Sequence, residues 1–390
     1  MKKSFSLGAM LSPLLNDLGV SDQTIGRKIT PIVDFFCLFC LCAGMTAALG
    51  VGVLLVGSGI ETLSNGAVTS GPMIWLIGGA FILLVFIIAS VSGVKKGINF
   101  LSKYNAYFYL ILGIFVFLCG PTMYILSLST ESLGALLSDF FKLSLWSSAA
   151  YGDGWAQKWP VFYWCTWLAW TGVSAAFLGR ISKGYTVKDA LNVIFLIPSL
   201  FSVVWLAIFS GTTIQFELSG LGIYQAMENG GTSAAAFALL ENLPCSVIVI
   251  PLFLLTAILS YITSASGNIN AIAGLCTTGL TSDDSESPPA LQVIWGLTIG
   301  AMCMVMLIAF DIEGVKTLAY IGGLPIVFLM LLFVASFFKI MRDPRKYDVH
   351  KEDYFENGYP NITPRLPYEG YDPNRRSFLQ KIGHWISHKQ

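Results

Sequence analysis

An uncharged stretch of sixteen residues reads Trp159-Pro-Val-Phe-Tyr-Trp-Cys-Thr-Trp-Leu-Ala-Trp-Thr-Gly-Val-Ser174. It lies in an apolar segment, 159–182, that is long enough to cross a bilayer, which takes about 20 residues of helix. Because lipid offers no hydrogen bonds to a backbone, such a segment is expected to be helical. Seven other segments have the same character: 30–58, 72–93, 105–128, 190–212, 245–273, 290–310 and 318–341. The sequence therefore predicts an all-α polytopic membrane protein with eight transmembrane helices.

The composition supports this class and excludes others. Of the 390 residues, 55% are hydrophobic and 12% are charged, whereas soluble proteins carry about 25% charged residues. Neither an ordinary soluble enzyme nor a disordered chain has this composition. The net charge is zero, so nothing favours nucleic-acid binding, and the eight cysteines lie in or beside apolar segments rather than in a secreted disulfide framework.

The basic residues predict the orientation. With the N-terminus in the cytoplasm, 20 of the 23 Lys and Arg residues lie inside, and only Lys142, Lys158 and Lys316 lie outside. The positive-inside rule therefore predicts that both termini are cytoplasmic. The predicted organisation is a cytoplasmic N-terminal segment (1–29), a transmembrane domain (30–342) and a cytoplasmic tail (343–390).

Two segments outside the spans are amphipathic. Residues 130–149 alternate apolar and charged positions at helical spacing, which predicts a helix on the outer membrane surface. The tail is polar and mostly disordered by composition. Its end, 375–390, carries four basic residues, no acidic residue and a helical apolar pattern. This end is either a helix on the inner leaflet or a frayed terminus.

The span interiors hold almost no ionisable side chains, and all three histidines (His350, His384 and His388) are in the tail. Intramembrane catalysis and metal chemistry need clusters of such groups at depth. We therefore expect no enzymatic activity.

The quoted stretch has an aromatic stripe. At 100° per residue, Tyr163, Trp167 and Trp170 fall within about 60° on one helix face, and Ser174 continues the line inward. Ring faces without acidic neighbours suit a cation that keeps its charge and has no N–H to donate, which is a quaternary ammonium. From the residues alone, a cation site and simple helix packing are equally good interpretations.

The segment 245–273 has a polar face. Ser260, Thr263 and Ser264 lie three and four residues apart, on one side of a helix. Hydroxyl oxygens are hard ligands that suit a small cation such as sodium. The alternative interpretation is ordinary hydroxyl-mediated helix packing, which is common in membranes.

Several motifs together resemble the betaine/carnitine/choline transporter family. The tryptophan-rich run 159–170 is followed by Gly179-Arg-Ile-Ser-Lys-Gly-Tyr-Thr186, in the order that the family's signature has. Ser92-Gly-Val-Lys-Lys-Gly-Ile-Asn-Phe-Leu-Ser102, Gly120-Pro-Thr122 and Thr263-Ser-Ala265 are similar to further family motifs. The resemblance extends over about residues 8 to 342.

The resemblance implies a LeuT-type fold of twelve spans with two inverted five-helix repeats. The eight spans of this chain match family helices five to twelve, so the second repeat is complete, the first is incomplete, and the chain is an N-terminally truncated member. The implied function is secondary transport of glycine betaine, carnitine or choline across the cell membrane by alternating access. The alternative is a non-transporting fragment, or a split subunit that works with a separately encoded N-terminal half.

The resemblance also implies roles for single residues. Trp167 would contact the trimethylammonium group, Trp170 and Trp164 would line the inner and outer parts of the path, and Tyr163 shares their stripe. Thr263 and Ser264 would be hydroxyl ligands of a sodium site, with no other cofactor. The expected partners are the substrate, the lipid membrane and, as in many family members, two further copies in a homotrimer.

The chain departs from the family pattern at three places. The family's adjacent tryptophans are replaced by Thr166-Trp167, its Pro-Phe by Gly172-Val173, and its Asp-Ser by Ser266-Gly267. The second and third changes fall beside the implied substrate and sodium residues. A membrane sensor acting through the tail and a carrier of amino acids or protonated amines are further alternatives.

Overall fold

The computed structural model describes residues 6–91, 95–182, 187–277 and 287–347, and within these ranges the secondary structure is helical, without strands. The tail beyond residue 347, including the predicted amphipathic end, lies outside the described residues. So do residues 183–186 of the family motif.

Helices account for most of the described ranges. In chain order they are α1 (Ser12–Asp17), α2 (Asp22–Thr24), α3 (Thr30–Leu63), α4 (Pro72–Val91), α5 (Lys95–Cys119), α6 (Thr122–Ser138), α7 (Phe140–Ser144), α8 (Phe162–Ile181), α9 (Val187–Leu191), α10 (Ile197–Leu218), α11 (Ile223–Glu241), α12 (Ser246–Leu275), α13 (Pro289–Arg342) and α14 (Pro344–Tyr347). Short 3-10 or π-helical turns precede α1, α3, α8 and α10.

Six helical stretches of the described chain are long and apolar enough to cross a membrane: Ile25–Leu63, Pro72–Val91, Phe100–Cys119, Lys188–Leu218, Ser246–Leu275 and Pro289–Arg342. They confirm an all-helical, multi-pass architecture. The sequence predicts eight spans rather than six. Two predicted spans lie within α13, whose helical geometry breaks at Asp311 (φ 54°, ψ −146°). The predicted span 159–182 contains α8, which is not one of the six candidate spans. Its tryptophans, tyrosine and hydroxyl residues give it a lower mean hydropathy than the six have.

Several boundaries differ from the sequence prediction by a few residues, and two of these differences have a clear local cause. The third predicted span is 105–128, but α5 ends at Cys119 and α6 begins at Thr122. Pro121 explains the break, because proline has no N–H and disfavours helical geometry in the residue before it. The first candidate span begins at Ile25 rather than at residue 30, because a π-helical turn leads directly into α3.

The centre of the molecule is α3. It packs against α4, α8, α12 and α13, and Leu41, Met45 and Leu49 on it are fully buried. Glycines allow this close packing: a Cβ built at Gly323 of α13 would lie 2.5 Å from the Cα of Cys165 in α8. Small residues at helix contacts are a common device of membrane bundles. The result is that α8 is held closely against the central helices.

The residues before α3 are tied to the same bundle. The carboxylate of Asp34 accepts hydrogen bonds from the Ser6 hydroxyl (2.6 Å) and from the backbone N–H of Gly8 (2.9 Å). The Ser336 hydroxyl of α13 donates to the carbonyl of Met10. A carboxylate bonded in this way fixes the N-terminal residues 6–17 across the ends of α3 and α13.

Candidate functional site

A cavity of about 560 Å³ lies between α3, α8 and α12, with Ile82 of α4 also in its wall. This volume is within the range of ordinary small-molecule sites, about 300–1,000 Å³. Its walls differ in character. Val51, Leu55 and Val56 of α3 form an apolar side. Aromatic and polar side chains of α8 and α12 form the others, namely Trp167, Trp170, Ser174, Ser260, Tyr261, Thr263, Ser264 and Asn268.

The structure brings only part of the aromatic stripe to this cavity. Trp167 and Trp170 line it, whereas Tyr163 and Trp164 do not. The ring of Tyr163 lies 6.1 Å from that of Trp167 and 6.2 Å, edge to face, from that of Trp164. Trp167 is 59% exposed, so more than half of its surface is left uncovered by the described residues. Tyr163 and Trp164 thus extend the stripe beyond the cavity.

The indole of Trp170 is fixed by its neighbours. It packs against the main hydrophobic core. A Cβ built at Gly44 of α3 would lie 3.0 Å from Trp170 Cδ1 and 2.9 Å from the Cβ of Ala169. Only glycine at position 44 leaves room for α8 at this distance. The ring face of Trp170 is therefore held in place by backbone packing.

The hydroxyls of Thr263 and Ser264 are bonded within their own helix. Thr263 Oγ1 donates to the carbonyl of Leu259 (2.8 Å), and Ser264 Oγ donates to that of Ser260 (2.8 Å). Each hydroxyl has one proton, so these bonds leave oxygen lone pairs available to a further donor or a cation. Both residues line the cavity, which keeps those lone pairs within its reach.

Ser260 differs from these two residues. Its hydroxyl donates to the carbonyl of Thr256 (2.7 Å) and receives hydrogen bonds from Asn105 Nδ2 (2.8 Å) and Tyr109 OH (2.8 Å). Tyr109 must be the donor because the only proton of Ser260 is already used. The hydroxyl is therefore saturated and serves to join α12 to α5.

A polar pair of side chains joins α8 to α12. Ser174 Oγ donates to Asn268 Oδ1 (3.2 Å), and Asn268 Nδ2 donates to the carbonyl of Ser264 (3.0 Å). Sequence reasoning does not single out Asn268. The available signal is its position four residues after Ser264, on the same face of α12.

The cavity has an uncharged lining. Among its described lining residues, no side chain is a carboxylate, an ammonium or a guanidinium. No group of three or more His, Cys, Asp or Glu residues in the described chain is arranged to hold a metal ion. Aromatic faces in apolar surroundings attract an organic cation strongly because water competes little there. The cavity can therefore hold a small cation against tryptophan at one end and a polar group at the other.

The helices define a multi-pass membrane protein, and the cavity between α3, α8 and α12 is large enough for a small molecule. The profile of the family described as BCCT, betaine/carnitine/choline family transporter, matches residues 1–346. The chain belongs to this family. Members of the family are transporters rather than enzymes.

Three relatives illustrate the similarity. The chain is 28% identical over 335 residues to the ectoine/hydroxyectoine transporter of Virgibacillus pantothenticus, covering 84% of this chain and 65% of that protein. It is 27% identical over 341 residues to a probable glycine betaine transporter of Desulfitobacterium hafniense, covering 87% and 66%. It is 29% identical over 332 residues to the osmo-independent choline transporter of Acinetobacter baylyi, covering 84% and 62%. The chain thus spans less than two thirds of the length of each of them.

Proposed function

We propose that this chain forms the substrate-binding bundle of a secondary transporter for a small quaternary ammonium compound such as glycine betaine, carnitine or choline. The observation that carries the proposal is the cavity that is lined by Trp167 and Trp170 of α8 and by Thr263 and Ser264 of α12. The family and the named functions of its relatives support it.

Cation–π attraction is the proposed basis of recognition. A quaternary ammonium has no N–H, so it gains little from carbonyls and carboxylates as hydrogen-bond acceptors, but it keeps a full positive charge. Over a tryptophan face this charge is worth about 2 kcal/mol or more once it is desolvated. The apolar wall of α3 excludes water from one side of the cavity, and Gly44 keeps the Trp170 ring in place.

The proposed topology has eight spans. It counts α13 as two helices divided at Asp311, and adds α8 to the candidate spans. We propose a LeuT-type arrangement in the cell membrane, with both termini cytoplasmic and 130–149 on the outer surface. Alternating access would then move the bundle around a site near mid-membrane, as in other repeat-built transporters.

We further propose that sodium binds at Thr263 and Ser264. Their hydroxyl oxygens are neutral, hard donors that suit a monovalent cation, and their protons already point to carbonyls of α12. Ser260 is not proposed as a ligand because its hydroxyl is saturated. The residues present therefore fit a sodium site, to which other parts of the full assembly would add oxygen ligands.

The experiment for the main proposal is uptake of radiolabelled choline and glycine betaine by proteoliposomes, with binding measured by calorimetry. We expect Trp167→Ala to abolish uptake and binding, and Trp167→Phe to keep part of both because phenylalanine retains a ring face. Trp155→Ala is the matched control, since Trp155 is exposed and lies outside the cavity. Normal binding by Trp167→Ala would show that the cavity is not the site.

A second candidate function is that of a subunit that binds substrate but needs a partner to transport it. The exposure of Trp167 favours it, because the described residues leave more than half of this side chain uncovered. Binding without uptake by the wild-type chain would support this candidate. Uptake by the chain alone would exclude it.

A homotrimer is a further proposal, and light scattering in detergent would test it.

A further inference from the structure

The polar pair of Ser174 and Asn268 lies at the inner end of the aromatic row. Trp170 and Ser174 are four residues apart on α8, which places them on adjacent turns about 6 Å apart along the helix axis. Both line the cavity, and so does Asn268 of α12. A molecule with its cation against Trp170 and a short chain pointing inward would bring the end of that chain to this pair.

The hydrogen-bonding capacity of the pair is defined by the bonds it already makes. The proton of Ser174 goes to Asn268 Oδ1, and one proton of Asn268 Nδ2 goes to the carbonyl of Ser264. The second Nδ2 proton and the lone pairs of Ser174 Oγ remain. The pair thus offers one donor and one acceptor side by side.

We propose that this pair is a subsite for the hydroxyl group of a quaternary ammonium alcohol. A hydroxyl matches it on both sides, since its proton can go to Ser174 Oγ and its oxygen can accept from Asn268 Nδ2. This inference rests on the proposed function and adds that the transported compound carries an alcohol, as choline does.

A carboxylate fits the same pair less well. It can only accept, so it uses the Nδ2 proton and meets the lone pairs of Ser174. If Ser174 turned its proton to the carboxylate, Asn268 Oδ1 would lose its partner, and Asn268 is only 8% exposed. A buried acceptor without a partner is unfavourable. The geometry therefore favours an alcohol over a zwitterion at this position.

The test compares three ligands that differ at one end: choline, n-propyltrimethylammonium, which has a methyl in place of the hydroxyl, and glycine betaine. Calorimetry on the full chain in lipid nanodiscs gives the dissociation constants. We expect the wild type to bind choline about fivefold more tightly than the propyl compound, as one hydrogen bond provides. Glycine betaine should bind more weakly than choline.

The variants Ser174→Ala and Asn268→Leu should bring the ratio of choline to propyl affinity close to one. The propyl affinity itself should stay within about twofold of the wild type, because the ring contact is intact. Thr171→Ala is the matched control: its hydroxyl bonds within α8 and it does not line the cavity. Ser174→Ala is the smaller change and keeps the test valid if Asn268→Leu does not fold.

The outcomes separate the two proposals. Equal affinity for choline and the propyl compound in the wild type, an unchanged ratio in both variants, or tighter binding of glycine betaine would overturn the subsite. If choline and n-propyltrimethylammonium bound the wild type and both lost binding in Trp167→Ala, the proposed function would stand without the hydroxyl subsite. If none of the three compounds bound the wild type, both proposals would fall.

Discussion

At the scale of single residues, the position of Trp170 depends on residue 44 being a glycine, which has no side chain. Gly44 faces the indole across the contact between α3 and α8, and a Cβ there would lie within 3.0 Å of Cδ1. The recognition surface is therefore defined by backbone packing as much as by the tryptophan. A substitution on α3 should change ligand binding without removing any ligand contact.

Gly44→Val should weaken the binding of quaternary ammonium ligands by about tenfold. Overpacking of this kind costs about 1–3 kcal/mol, and at this position the strain would move the Trp170 ring. Gly113→Ala is the control, because its Cβ would meet Trp205 at an ordinary 3.5 Å. Calorimetric dissociation constants for the two variants decide the point. Equal affinities would contradict the role assigned to Gly44.

Thr263→Ala and Ser264→Ala should lower the apparent affinity for sodium in uptake assays. Each variant removes one oxygen ligand while leaving the aromatic wall intact. Ser266→Ala is the control, since its hydroxyl also bonds within α12 but lies outside the cavity. The sodium dependence of choline uptake is the measurement. A sodium response that is identical in all four proteins would exclude the site.

The sequence could predict relations within one helix but not those between helices. The spacing of Trp167, Trp170 and Ser174 predicted a common face, and the three line one cavity. The hydrogen bond from Ser174 to Asn268 joins residues 94 positions apart. No periodicity contains that information, because it depends on how α8 and α12 pack.

At the scale of elements, a buried polar junction joins α5 to α12. Asn105 and Tyr109 both donate to Ser260 Oγ. In the described part of the chain, the side-chain oxygen of Asn105 has no hydrogen-bond partner. The junction therefore depends on one hydroxyl, which holds α12 and its cavity-lining face against α5.

Ser260→Ala should destabilise the protein by about 1–2 kcal/mol, because it leaves the buried Asn105 amide without a partner. Thermal unfolding in detergent measures this as a lower midpoint. Ser202→Ala serves as the comparison, since its exposed hydroxyl bonds only to the carbonyl of Pro198 in its own helix. The same midpoint for both variants would show that the junction contributes nothing.

Helix boundaries show the limits of sequence reasoning at this scale. Hydropathy correctly predicted an all-helical, multi-pass protein, and six described helical stretches are candidate spans rather than the predicted eight. The predicted span 105–128 ran past Gly120-Pro121, where α5 ends. Pro121 explains that break once the structure is known, because proline disfavours helical geometry in the residue before it. The break at Asp311, by contrast, falls between the predicted spans 290–310 and 318–341, and a positive φ is less unusual for aspartate than for most residues.

At the scale of the whole molecule, the distribution of charge predicts the orientation. Lys28 and Lys142 are both exposed, and the proposed topology places them on opposite sides of the membrane. In a variant without native cysteines, Lys142→Cys should react with an impermeant thiol reagent in intact cells. Lys28→Cys should react only after permeabilisation. The reverse labelling pattern would contradict the proposed orientation.

The most direct test of the central claim locates a bound cation in the cavity. A trimethylarsonium analogue of choline carries the same charge, and its arsenic atom gives an anomalous signal in a crystal structure of the complex. We predict one arsenic peak over the ring faces of Trp167 and Trp170, on the side facing α12. A well-bound analogue with its peak elsewhere, or an empty cavity at saturating ligand, would contradict the account.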